Sequence, residues 1–149
     1  MAEETDLIAG WLTPLLAADT AGAGSLGVLS AGITDRIYDT LAPQEEETYP
    51  IIVFNIQSAT DLMTISRAGS RVWCNCLAQV KVIGKDQAFS ELTSIASRID
   101  ALIHQASGTP SGGTIVACTR EQIVRYIEPV GALTYRHLGG LFRMIAQAA

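Results

Sequence analysis

Three cysteines and two histidines are the side chains in this sequence best able to do chemistry. Cys74-Asn75-Cys76 sets two thiols at i and i+2, which share one face of an extended strand. With Cys118 and a histidine they could compose a tetrahedral zinc site, or serve a small thiol- or metal-dependent enzyme. The spacing argues against this, because structural zinc sites typically separate paired cysteines by about two to four residues. The sequence also has no second pair. Free cysteine is a small apolar residue that is commonly buried, so core packing is the simpler reading. His104 and His137 stand in no nucleophile motif and read as structural histidines, at the surface or half-buried. Ser111-Gly112-Gly113-Thr114 lacks the lysine of a phosphate loop and leads into a strand pattern, so it reads as a turn. Asp35, Asp39, Glu45, Glu46 and Glu47 lack calcium-loop spacing. Lys81, Lys85 and Arg98 lack the interleaved aromatics of a base-stacking platform. The expectation is a protein without catalytic residues, metal or cofactor.

The totals agree with that expectation. At 149 residues the chain is long enough for one domain with a sizeable core. No apolar stretch approaches the roughly 18 to 20 residues that cross a bilayer, so no membrane partner is expected. The opening MAEETD has no positive n-region, and the odd cysteine count suits a reducing compartment; both predict folding in a cytoplasm. Net charge is −5, which disfavours a general nucleic-acid binder. Its distribution is uneven. Through Asp61 there are ten acids against one base, Arg36, a balance of −9; from Leu62 onward five acids face nine bases, a balance of +4. Such halves can neutralise each other within one fold, which we put first, or pair between copies in an assembly.

The elements that would position these groups are legible in outline. Leu7, Ile8, Trp11, Leu12, Leu15 and Leu16 form a helical stripe over residues 5–18, with Thr5 a candidate cap and Pro14 predicting a kink or two short pieces. Residues 20–32 are rich in glycine and small side chains and predict a flexible connector. A short element follows at 33–38. Ile51 to Ile56 is β-branched and aromatic, a mostly covered strand, and residues 58–70 read as a loop. Val72 to Ile83 alternates: Val72, Cys74, Cys76, Ala78, Val80 and Val82 against Trp73, Asn75, Leu77, Gln79, Lys81 and Ile83. Residues 86–106 carry Phe89, Leu92, Ile95, Ile99 and Ile103 at helical period, with Asp86 as the expected cap. Strand patterns return at 114–119, 123–127 and 133–146, the last with Gly139-Gly140 predicting a bulge or bend. The fold class expected is α+β: a single domain, mainly antiparallel sheet, the long helix on one face and an N-terminal helix beside it.

The stretch IYDTLAPQEEETYPIIVF, residues 37–54, collects charge just before a buried strand. Pro43, Pro50 and the polar residues between them mark a surface loop. In the order of its signatures the chain resembles the tail-completion or tail-terminator family of long-tailed bacteriophages and related prophage particles. The resemblance runs over residues 33–147 and rests on Ile37-Tyr38-Asp39, Tyr49-Pro50, Tyr135-Arg136-His137 and Phe142-Arg143, in that order.

The resemblance implies a structural virion protein, assembled in the host cytoplasm into a ring, six-fold in familiar members. Such a ring sits on the head-proximal end of the tail tube, ends its polymerisation and meets the head connector or stopper protein. DNA only passes through it. A head-side adaptor or stopper ring is the neighbouring alternative. A closed ring needs unlike patches that meet head to tail. Candidate interface residues are Glu45, Glu46 and Glu47 against Arg67, Arg71 or Arg120, with Trp73 and Leu77 supplying contact area. An acidic channel lining would also repel passing DNA. Replacing Glu45, Glu46 and Glu47 with lysine is expected to impair assembly or DNA passage, measured as particle infectivity.

Overall fold

The computed structural model describes residues 2–46, 48–62 and 73–148. Helix α1 (Ala2–Ala17) and a short turn α2 (Leu26–Leu29) lead through a tight 3-10 turn at Ile33–Asp35 into strand β1 (Ile37–Asp39). Then come β2 (Ile51–Leu62), β3 (Trp73–Lys85), α3 (Phe89–Ile103), β4 (Gly113–Val130) and β5 (Leu133–Ala148). The five strands form one sheet in the order β1-β2-β3-β5-β4, antiparallel except for the parallel β1–β2 pair. Helices α1 and α3 pack on the same face. The expected α+β architecture is what the chain adopts.

Burial along β3 follows the predicted alternation. Cys74, Cys76, Ala78, Val80 and Val82 are fully enclosed beneath the helices, and Trp73 through Ile83 at the odd positions are half-buried or exposed. Helix α3 returns Leu92, Ile95, Ile99 and Ile103 to that face. Their burial contributes on the order of 10 kcal/mol gross, before chain entropy is subtracted. Strand β2 is covered on both sides at Ile51 to Phe54, because the loop ahead of it folds back over the outer face.

Several local expectations change. Helix α1 is continuous through Pro14. The proline sits in its last turn, and both it and Gly10, whose carbonyl it leaves without a donor, are exposed, so water can serve that carbonyl. Thr5 lies inside this helix and does not cap it. Helix α3 begins at Phe89, where the Glu91 carboxylate accepts the Ala88 N–H at 2.8 Å; it ends at Ile103, short of 106. Asp86 instead bridges to β5, donating its N–H to the Thr134 carbonyl and accepting the Thr134 N–H at 2.9 Å.

The 20–32 connector is anchored. Asp19 accepts the Leu26 N–H at 2.8 Å and binds the Arg98 guanidinium through both oxygens, at 2.9 and 2.7 Å. That hydrogen bond to Arg98 holds the Asp19 carboxyl below its usual range. Leu26 is consequently buried against α3. Strand β2 continues to Leu62, so residues 58–62 are strand; residues 63–70 of the expected loop, and Val72, lie outside the described residues.

The patterns at 114–119 and 123–127 belong to one strand. One bulge, between Arg120 and Gln122, separates the two segments, and another, between Ile115 and Ala117, interrupts the first. No register shift falls at Gly139-Gly140. Gly139 is needed for close approach: a Cβ there would collide with the Val80 carbonyl and the Lys81 backbone across the ladder. Gly139→Ala is therefore expected to cost at least about 2 kcal/mol, whereas Gly10→Ala, with open space around it, should gain roughly 0.5 to 1 kcal/mol. Denaturant midpoints of the two variants check both signs.

Candidate assembly surfaces

The two faces of the sheet differ in character. Beneath α1 and α3 the helix side is dry. On the outer side the loop 40–50 covers Ile51 and Val53, and with the end of the β4–β5 hairpin it borders a groove of about 670 Å³. Its wall holds a polar cluster. The His137 ring stacks on Tyr126 with centroids 4.3 Å apart, and its Nε2 lies 3.0 Å from Glu128 Oε2. The Lys81 ammonium donates to the Tyr126 hydroxyl at 2.7 Å. Burial, reinforced by the Lys81 charge, pushes the His137 pKa down against the pull of Glu128. His137 is thus more buried than its sequence position suggested, and its ring is held in place by Tyr126 and Glu128. His104 accepts the Arg120 N–H on Nδ1 at 3.0 Å.

The sheet edges carry the sharpest contrast. At the β1 edge, Asp35, Asp39 and Glu45 have no cation within ion-pairing distance among the described residues. Arg36 does not neutralise them; it donates to the Pro50 and Ala31 carbonyls and pins the ends of the loop. Glu46 is half-buried, accepting from the Tyr38 hydroxyl and from the Thr48 N–H at 2.9 Å. The bond from Tyr38 raises that residue's pKa. Leu41 projects from the same loop, 77% exposed.

At the opposite edge, β4 exposes Ile123 (63%), Ile127 (52%) and Val130 (50%). Beyond its two bulges Ile123, Arg125 and Ile127 face the helix side, opposite Gly140, Leu138 and Arg136. There Arg125 stacks 4.2 Å above the Phe89 ring and meets no carboxylate among the described residues. Between α3 and the hairpin lies a second groove of about 410 Å³.

The predicted interface residues do not form one patch. Trp73 is exposed on the outer face, donating its indole N–H to Gln147 at 3.2 Å, and Leu77 is half-buried on that face. Arg120 lies on the helix side and pairs with Asp100 at 3.1 Å. Glu45 and Glu46 lie at the far edge. Glu47, Arg67 and Arg71 lie outside the described residues. Of the charge imbalance, the Asp19–Arg98 pair joins the acidic first part to the basic remainder, while Arg120–Asp100 and Arg143–Glu121 stay within the remainder. The groups missed from sequence are Leu41, Ile123, Arg125 and Ile127. IVRYIEPV, residues 123–130, did carry a signal: apolar residues occupy both parities, so alternation marks no single core face.

The thiols are sealed. Cys74, Cys76 and Cys118 are free and buried, with the Sγ atoms of Cys74 and Cys76 3.5 Å apart. Burial pushes the thiols of Cys76 and Cys118 up to about 12. Among the described residues no three histidine, cysteine or acidic side chains converge on a metal position.

No protein-family model matches this sequence, and no curated protein does. Solved structures share its fold. A chain from the virion of a native gene transfer agent particle aligns over 95% of this chain and 98% of its own length, with TM-score 0.58 and 13% identity. A second solved chain aligns over 93% of this chain and 94% of its own, with TM-score 0.53 and 17% identity. At these identities the likeness defines a class by fold: a single-domain α+β protein with helices on one face of a five-stranded mixed sheet.

At pH 8 a thiol of pKa about 12 is ionised to only roughly one part in 10⁴. Alkylation of Cys76 and Cys118 by iodoacetamide should therefore be negligible in the folded protein and fast after unfolding, read by intact-mass spectrometry.

Proposed function

We propose that this chain is a structural subunit of a phage-like particle. Its copies form a ring, six-fold by resemblance, on the head-proximal end of the tail tube. The ring ends tube polymerisation and joins the tail to the head connector. One observation carries this reading: two separate surfaces of the sheet bear exposed apolar side chains flanked by charges of opposite sign. Leu41 stands among Asp39 and Glu45 in the loop over the outer face, and Ile123 and Ile127 flank Arg125 on the helix side of β4. Such unlike patches suit a heterologous contact, which closes into a ring when the rotation per copy divides a full turn. The fold likeness to a chain of the gene transfer agent virion supports a place in a particle, and the ordered motifs at 37–39, 49–50, 135–137 and 142–143 support the tail-terminator assignment.

The reading requires no chemistry of the chain itself. DNA meets it only in passing, and acids such as Glu45, without a cation among the described residues, would keep the bore from binding it. The decisive test adds purified protein to growing tail tubes and measures tube length by electron microscopy. Arrested growth with protein at one tube end is the expected result. Unarrested tubes, with the protein found on the head side of the joint, would make it an adaptor or stopper ring. A chain that stays monomeric in solution and in the particle would end the reading.

A further inference from the structure

Resting on the ring reading, we propose that the groove between α3 and the β4–β5 hairpin receives the Leu41 loop of the neighbouring copy. The groove has an apolar floor that includes Ala96, Leu138 and Phe142, and Ile123 stands exposed at its mouth. Arg125 gives its rim positive charge and meets no carboxylate in its own chain among the described residues, whereas Arg120 on the same rim is paired with Asp100. The complement is the 39–45 segment. Among the described residues Leu41 is the most exposed of the large apolar side chains, and Asp39 and Glu45 beside it find no cation.

The loop is already held in one shape. Thr40 has a left-handed backbone (φ 65°) and donates its N–H to the Phe54 carbonyl at 2.7 Å, and the Leu41 N–H reaches the Asp39 carbonyl at 2.7 Å. A side chain presented on a fixed backbone loses little further entropy on docking. The chain cannot fill its own groove, because Leu41 borders the outer-face groove while this one opens on the helix side. A second copy supplies what each surface lacks: an apolar plug for the hollow, carboxylates for Arg125, and a dry site for Leu41.

Two experiments on the full chain, alone at raised concentration and bound to tail tubes, decide the matter. The first combines Leu41→Cys with Ser97→Cys, Ser97 being an exposed position on the groove wall. The native thiols are buried, so mild oxidation should yield a ladder of cross-linked species that ends at the ring, and neither single variant should give one. The second exchanges charge. Glu45→Arg and Arg125→Glu should each weaken self-association about tenfold at low salt, and the double variant should restore it. Rings that assemble without the ladder and ignore both charge changes would overturn this contact and leave the ring reading intact. Dimers cross-linked by Leu41→Cys alone would show a symmetric contact and overturn it too. Monomers under every condition would remove both. Cross-linking of the groove position to the tube protein in place of a second copy would reassign the groove to that partner.

Discussion

The ladder between β3 and β5 leaves no room for a Cβ where Gly139 lies against the Val80 carbonyl, and the rest of the molecule depends on that approach. β3 is central, and its buried face from Cys74 to Val82 carries only small or β-branched side chains. That surface lets α1 and α3 settle on the sheet at short range. If β5 stood farther off, Phe142 and Met144 would leave the layer they share with Val80 and Cys76, and α3 would lose its floor. The hairpin beyond Gly140, with its exposed isoleucines, is rooted in this one ladder. Core packing and surface presentation are therefore coupled through a position that has no side chain.

Electrostatics then separates the two edges of the same sheet. Where acid meets base inside the chain, the contact fixes local structure. Asp19 and Arg98 fasten a glycine-rich connector to α3, and Arg143 joins Glu121 to Asn75. Arg36 spends its donors on carbonyl groups. The acids left at the β1 edge stay solvated, as surface carboxylates can at little cost. Charge gathers before the buried strand β2 for two reasons. The loop needs polar residues because it must remain wet, and the absence of ion-pair partners for Asp39 and Glu45 among the described residues leaves those charges available to another molecule.

Much of the fold was legible in the sequence. The alternation from Cys74 to Ile83 and the stripe from Leu92 to Ile103 obey periods that local chemistry enforces, and both elements stand where expected. The errors share a cause, which is tertiary context overriding local preference. Pro14 was tolerable because it fell in an exposed final turn; the 20–32 connector was ordered by Arg98, nearly eighty residues away; Gly139-Gly140 answered a neighbouring strand and not its own bend. The proposed assembly surfaces were harder to read, because an exposed patch leaves no periodic mark. Their signs were an apolar residue in an acidic loop and a strand with apolar residues at both parities, and neither has meaning until the fold sets them on different faces of the sheet.

The pair of bulges in β4 has a consequence for how such a chain can diverge. Side chains in a strand alternate with period two, so each bulge reverses which of them look toward α3, and the second undoes the first. The turn after Val130 fixes the register of Ile123 to Val130 against β5, so a lineage that lost one codon at either bulge would shed only the extra residue and keep Ile123, Arg125 and Ile127 opposite Gly140, Leu138 and Arg136. Single-codon deletions at this spot are thus absorbed by the strand's own irregularity, and the side chains turned toward α3 stay the same.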